Sequence, residues 1–169
     1  MVKPQLILSA ALVCCAALAV RAQPVPPAGG SRGRSTHPVS LILRADKKSY
    51  GEKDPIKLTL TAKCPAKTPV KLTFSSGMKY DFEIRKGKAP SGEKVWQWSR
   101  GHMFTEMVTN TTLDPAKPLS FSETFAPGEQ GADGKPVPQL EPGVYRATGI
   151  LTISGRAPRP MASTTFTVR

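Results

Sequence analysis

The residues with most chemical capacity lie in "VWQWSRGHMFTEM", Val95 to Met107. This stretch holds both tryptophans of the chain, Trp96 and Trp98, with Arg100, Phe104 and His102, one of only two histidines. His102 is a base near neutral pH, while indoles and a guanidinium are the side chains that anchor protein interfaces. Asp81 and Glu83 stand two apart, a spacing that puts two carboxylates on one face of a strand. Lys79 and Arg85 flank them, so they read as ion-paired surface groups rather than a cation site. Cys64, in "TAKCPAKTP", has no histidine local to it that would generate the thiolate a nucleophile needs. It reads as a small buried hydrophobe, an intermolecular partner or, least of all, a nucleophile. No G-x-S-x-G elbow, H-E-x-x-H, C-x-x-C or phosphate-cradling glycine loop occurs. The pattern points away from an enzyme, and no catalytic residue, cofactor or metal is assigned.

The elements that must carry these residues are extended. "PIKLTLTAK" alternates strictly, with Ile56, Leu58, Leu60 and Ala62 facing one way and Lys57, Thr59, Thr61 and Lys63 the other. That is a strand with one wet face. "PVKLTFS" and "KYDFEIR" repeat the device, with Tyr80, Phe82 and Ile84 inward in the second. "VSLILRA", "KVWQWS", "KPLSFSETF", "GVYRATGILTIS" and "ASTTFTVR" complete a set of about eight strands separated by turn chemistry. "MFTEMVTNTTL" has room for one helical turn, although its Thr and Val residues favour extension. The expected fold is all-β, an immunoglobulin-like antiparallel β-sandwich of about eight strands. Within "KVWQWS", alternation places Trp96 and Trp98 on one face, walling the core, and Val95 and Gln97 on the other. "SRGHMFT" follows as a turn from which Arg100 and His102 project.

The centre of the chain resembles a known family. "FSSGMKYDFEI", then "VWQWSRGHMFT", then "PGVY" follow the pattern F-x-S-G-x-x-Y-D-F, V-W-x-W-S-x-G-x-x-F-T and P-G-x-Y. The positions run from Phe74 through Tyr80, Asp81, Phe82, Trp96, Trp98, Ser99 and Gly101 to Tyr145. This is similar to the bacterial intracellular proteinase inhibitor family, known from an inhibitor of subtilisin-type serine proteases, and it takes in roughly Leu58 to Thr152. Met78 and Gln97 stand where that family often has glutamine and arginine. The resemblance implies an immunoglobulin-like sandwich and a protein partner, a serine protease. For an inhibitor of substrate-like type, a rigid exposed loop is required. Two loops suit it: "RKGKAPSGEK", Arg85 to Lys94, offering Lys86 and Lys88, and the proline-rich stretch from Ala126 to Gly143. The residues expected to meet a partner are Lys86, Lys88, Trp98, Arg100 and His102.

The amino terminus reads as an export signal. Lys3 is followed by an uncharged apolar stretch from Leu6 to Val20, and Val20-Arg21-Ala22 suits cleavage after Ala22. The stretch is about 15 residues, and a helical span needs roughly 20. The expected organisation is a signal peptide over 1–22, a Pro/Gly/Arg-rich tether over 23–38 and a β-sandwich domain over 39–169. Export places the protein outside the cytoplasm, secreted or periplasmic, with no membrane span after cleavage. The chain has 24 basic and 12 acidic residues. Removal of Lys3 and Arg21 leaves a mature net charge of about +10. Anionic envelope polymers are therefore an alternative class of partner, giving a structural or adhesion module in place of an inhibitor. The basic residues are scattered rather than gathered on a recognition helix, and the compartment argues against nucleic acid.

Overall fold

A computed structural model describes residues 39–155 and 158–169. The expected signal peptide and tether lie outside the described residues. Ten strands are present among the described residues: β1 Ser40–Ala45, β2 Ser49–Tyr50, β3 Ile56–Lys63, β4 Val70–Phe74, β5 Tyr80–Lys86, β6 Lys94–Gln97, β7 Thr109–Leu113, β8 Leu119–Phe125, β9 Gly143–Leu151 and β10 Met161–Val168. The eight expected strands all form. The two additions are β2, two residues in a stretch that read as turn, and β7, where Thr-rich sequence extends instead of coiling.

Two sheets carry the fold. One has the order β1-β3-β8, and the other β2-β10-β9-β5-β6. Pairing is antiparallel throughout except between β10 and the short β2, which run parallel. The strict alternation of β3 is obeyed: Ile56, Leu58, Leu60 and Ala62 are buried. Leu58, Leu60 and Phe125 from the first sheet share one core with Phe82, Ile84, Tyr145 and Phe166 from the second. The sheets therefore pack face to face as a sandwich, each large side chain removed from water contributing about 1.5–3 kcal/mol. On the outer face of the first sheet, hydroxyls pair across strands, Thr59 with Ser122 at 2.9 Å and Thr61 with Ser120 at 3.3 Å. Strands β4 and β7 form a separate ribbon, and Leu72, Phe74 and Leu113 close a second apolar cluster against Ala62, Leu151 and Ile153.

Local chemistry fixes the corners. The Tyr145 hydroxyl donates to the Glu141 carbonyl at 2.9 Å, tying the start of β9 to the loop before it, a device that Greek-key sandwiches use. Cys64 is buried, its thiol aimed at the carbonyls of Ala66 and Thr68 at 3.7 and 3.4 Å.

Candidate functional site

Among the described residues, strand β6 lies at the edge of the larger sheet and pairs only with β5. Ile84 opposes Trp96 but Arg85 opposes Lys94, so Val95 is the extra residue of a bulge. The bulge changes the expected facing. Val95 packs against the core beside Trp96 and Trp98 instead of turning outward. Trp96 meets Phe125 edge-on, with ring centroids 5.4 Å apart. The strand ends at Gln97, and the Trp98 amide still donates to the Phe82 carbonyl at 2.9 Å before the chain turns.

Asp81 holds that turn. Its side chain accepts from the Ser99 amide at 3.0 Å, the Ser99 hydroxyl at 2.7 Å, the Gln97 amide nitrogen at 2.6 Å and its neighbour's Phe82 amide at 2.8 Å. It is 5% exposed. The expectation that Asp81 and Glu83 are surface ion-pair partners is thus half wrong. Glu83 pairs with Arg85 at 3.0 Å and Lys94 at 3.5 Å, whereas Asp81 is a buried carboxylate satisfied by neutral donors. The reason is tertiary: the turn after β6 folds back over β5 and covers its outer face.

From this turn an aromatic column crosses the molecule. Phe121 of β8 stacks on Tyr80 at 4.5 Å, Tyr80 on Trp98 at 4.7 Å, Trp98 on His102 at 4.7 Å, and His102 on Phe104 at 6.0 Å. The Tyr80 hydroxyl donates to Glu123 at 2.5 Å. Beside the column is an open cleft of about 510 Å³ between the turn and the 126–138 loop. Trp96, Trp98, Arg100 and His102 line one wall, and Asp133, Pro136 and Val137 belong to the other. Arg100 reaches Asp133 at 3.8 Å, an exposed pair of small energetic weight.

The 126–143 loop is ordered by its own backbone. Gly128 donates to Val137, Val137 to Glu129 and Gly131 to Lys135, at 2.9, 2.8 and 2.8 Å, and Leu140 is buried in the core. These bonds brace it without a disulfide. Gly101, with φ of +81°, sits against it so closely that a Cβ there would lie 2.3 Å from the Asp133 nitrogen.

Of the expected partner-binding residues, Trp98, Arg100 and His102 come together on the cleft. Lys86 and Lys88 do not join them: they precede β6, and the other three follow it. Lys86 pairs with Glu141 at 2.6 Å, and Lys88 is exposed. Asp81, Tyr80, Glu123 and Asp133 are the participants that sequence reasoning missed.

The phenols around this scaffold are unusually hard to ionise. Burial pushes Tyr80 well above the ordinary 10, and Glu123 pushes the same way. Burial lifts Tyr50 to about 12, helped by its hydrogen bond to Asp46, and burial also raises Tyr145. These are all three tyrosines of the chain. Because each folded value exceeds the unfolded one, their contribution to stability is complete below pH 10 and is lost as pH rises toward 12. Absorbance titration at the tyrosinate band should show clearly less ionisation at pH 10 in native protein than in denaturant, where about half is expected. Equal ionisation of native and denatured protein at pH 10 would contradict this.

The family model for the intracellular proteinase inhibitor, BsuPI, matches residues 43–155. The chain belongs to this family. The match takes in β2 through β9 and extends on both sides of the stretch that carried the resemblance. No curated protein matches the sequence. Among solved structures, the chain is similar to the sporulation control protein Spo0M of Bacillus subtilis, at 13% identity and a TM-score of 0.45, over 79% of this chain and 50% of that one. A β-glucosidase of Erythrobacter marinus gives 16% identity and 0.43, over 78% and 15%. The alkylpurine DNA glycosylase AlkC of Pseudomonas fluorescens gives 14% and 0.42, over 78% and 30%. This chain thus spans half or less of each.

The BsuPI signature can be read physically in this domain. Phe74 and Phe82 are core, Gly77 accommodates Thr105, Asp81 and Ser99 lock the turn, and Tyr145 ties the corner. The motif residues build the scaffold on which the exposed loops stand.

Proposed function

We propose that this BsuPI-family domain is an exported inhibitor of a subtilisin-like serine protease, acting by protein binding. The family match over residues 43–155 carries the reading. The cleft face supports it: Trp98, Arg100 and His102 are partly or fully exposed on a turn held by Asp81, so presenting them to a partner demands little ordering. The export signal ending at Ala22 directs the reading to a protease outside the cytoplasm. Purified mature protein, beginning at Gln23, is titrated against subtilisin-like, chymotrypsin-like and trypsin-like proteases. Stoichiometric loss of subtilisin-like activity is expected. Full activity of every protease at tenfold molar excess would overturn the reading.

A further inference from the structure

The two loops that read as suitable for a protease are both engaged with the protein. In the first, Lys86 is ion-paired, the Arg85 guanidinium donates to the Gly92 carbonyl at 3.0 Å, and Arg146 donates to the Lys88 carbonyl at 3.2 Å. The second is folded on itself by the bonds described above. A third segment, His102 to Val108, has the opposite character. Over these seven residues the chain makes no turn, bend or ladder pairing. None of them has a positive φ. The amides of Met103, Phe104 and Thr105 have no hydrogen-bond acceptor among the described residues.

The segment is extended and largely exposed, and among its residues only Phe104 is half-buried. The half-buried Phe104 packs at a tilt on Trp98 with ring centroids 5.7 Å apart, and the exposed His102 stacks on the same indole at 4.7 Å. Met103 between them is 99% exposed, and Met107 and Val108 follow at 61% and 64%. The chain is pinned on both sides of Met103. The His102 amide donates to the Ser99 carbonyl at 3.1 Å, and the Thr105 carbonyl accepts from the Gly77 amide at 2.8 Å. An exposed apolar side chain gains nothing for folding, and a run of unpaired amides is a template for a second strand.

We infer that His102–Val108 is the segment that enters the protease, pairing as an added strand along the substrate cleft with Met103 in an apolar specificity pocket. The inference rests on the inhibitor reading above and names the contact that reading left open. The target chemistry follows from the side chain. Methionine is long, unbranched and uncharged, so it suits the apolar pocket of a subtilisin-like or chymotrypsin-like protease and not the acidic pocket of a trypsin-like one. Pinning on both sides supplies the rigidity that a substrate-like segment needs without a disulfide, because little conformational freedom is left to lose on binding. Backbone pairing supplies affinity, and the apex side chain supplies selectivity.

The test measures inhibition constants of the mature protein and three variants against the same protease panel. Met103→Asp should weaken inhibition of the susceptible protease by about 100-fold or more, the size of a central interface anchor. Met103→Lys should weaken it too and gain inhibition of the trypsin-like enzyme. The Lys86→Glu, Lys88→Glu double variant should remain within about threefold of wild type. Thermal melts unchanged from wild type are expected for both Met103 variants, since that side chain touches nothing. Wild-type inhibition retained by Met103→Asp, or lost in the lysine double variant, would overturn this assignment and leave the inhibitor reading standing. A wild-type protein that inhibits no protease would overturn both.

Discussion

Replacing Asp81 with alanine is expected to lower the unfolding free energy by about 3 kcal/mol and the melting temperature by roughly 10 °C. The size follows from what the carboxylate holds. It accepts four hydrogen bonds, three of them from the Gln97–Ser99 turn, and it is almost fully enclosed. Hydrogen bonds to a charged group are each stronger than neutral ones. Their loss leaves the Ser99 amide N–H and the Ser99 O–H without their acceptor. The discount is that Gln97 and Ser99 are only partly buried, so water recovers some of the loss. For a domain with a typical stability of about 5–15 kcal/mol this is a large fraction. Urea unfolding followed by tryptophan fluorescence suits the question, because Trp96 and Trp98 adjoin the site. An unfolding midpoint equal to wild type would show that the carboxylate is dispensable.

Gly101→Ala is expected to cost about 2–4 kcal/mol and to detach the 126–143 loop from the turn. Two penalties combine. The left-handed φ of +81° costs an L-residue about 1–2 kcal/mol. The new Cβ also falls 2.3 Å from the Asp133 nitrogen and 2.5 Å from its Cα, backbone atoms that cannot swing away as a side chain would. The loop must move as a body, breaking the 3.8 Å approach of Arg100 to Asp133 and opening the cleft. Hydrogen exchange should accelerate at Gly128, Gly131 and Val137, whose amides the folded loop protects. Protection and stability both unchanged would mean that turn and loop are not mechanically joined.

The two substitutions separate the scaffold from its exposed surface. Asp81 and Gly101 belong to the family signature and act by shaping the turn. Met103 lies between signature residues, and on the reading proposed above it decides the target. On that reading the family can share the motif while its members differ in partner, because scaffold residues and the proposed recognition residue are neighbours in one short segment.

Period-two patterning alone determined much of this protein. Ile56, Leu58, Leu60 and Ala62 could only face a core, because one face of a strand must be apolar when the other is Lys and Thr. The same logic located Phe82 and Ile84, and the Y-D-F and V-W-x-W-S motifs placed the chain in its family. Tertiary structure decided what periodicity cannot encode. Alternation counts faces but not what covers them, so Asp81 read as surface until the turn after β6 folded over it. A one-residue bulge at Val95 shifted the facing within β6, and no composition signal announces a bulge. Met103 read as part of a turn because nothing local distinguishes a buried methionine from one held in solvent. That distinction arises when His102 and Phe104 on either side find Trp98, which in turn finds Tyr80 and Phe121 from strands distant in sequence.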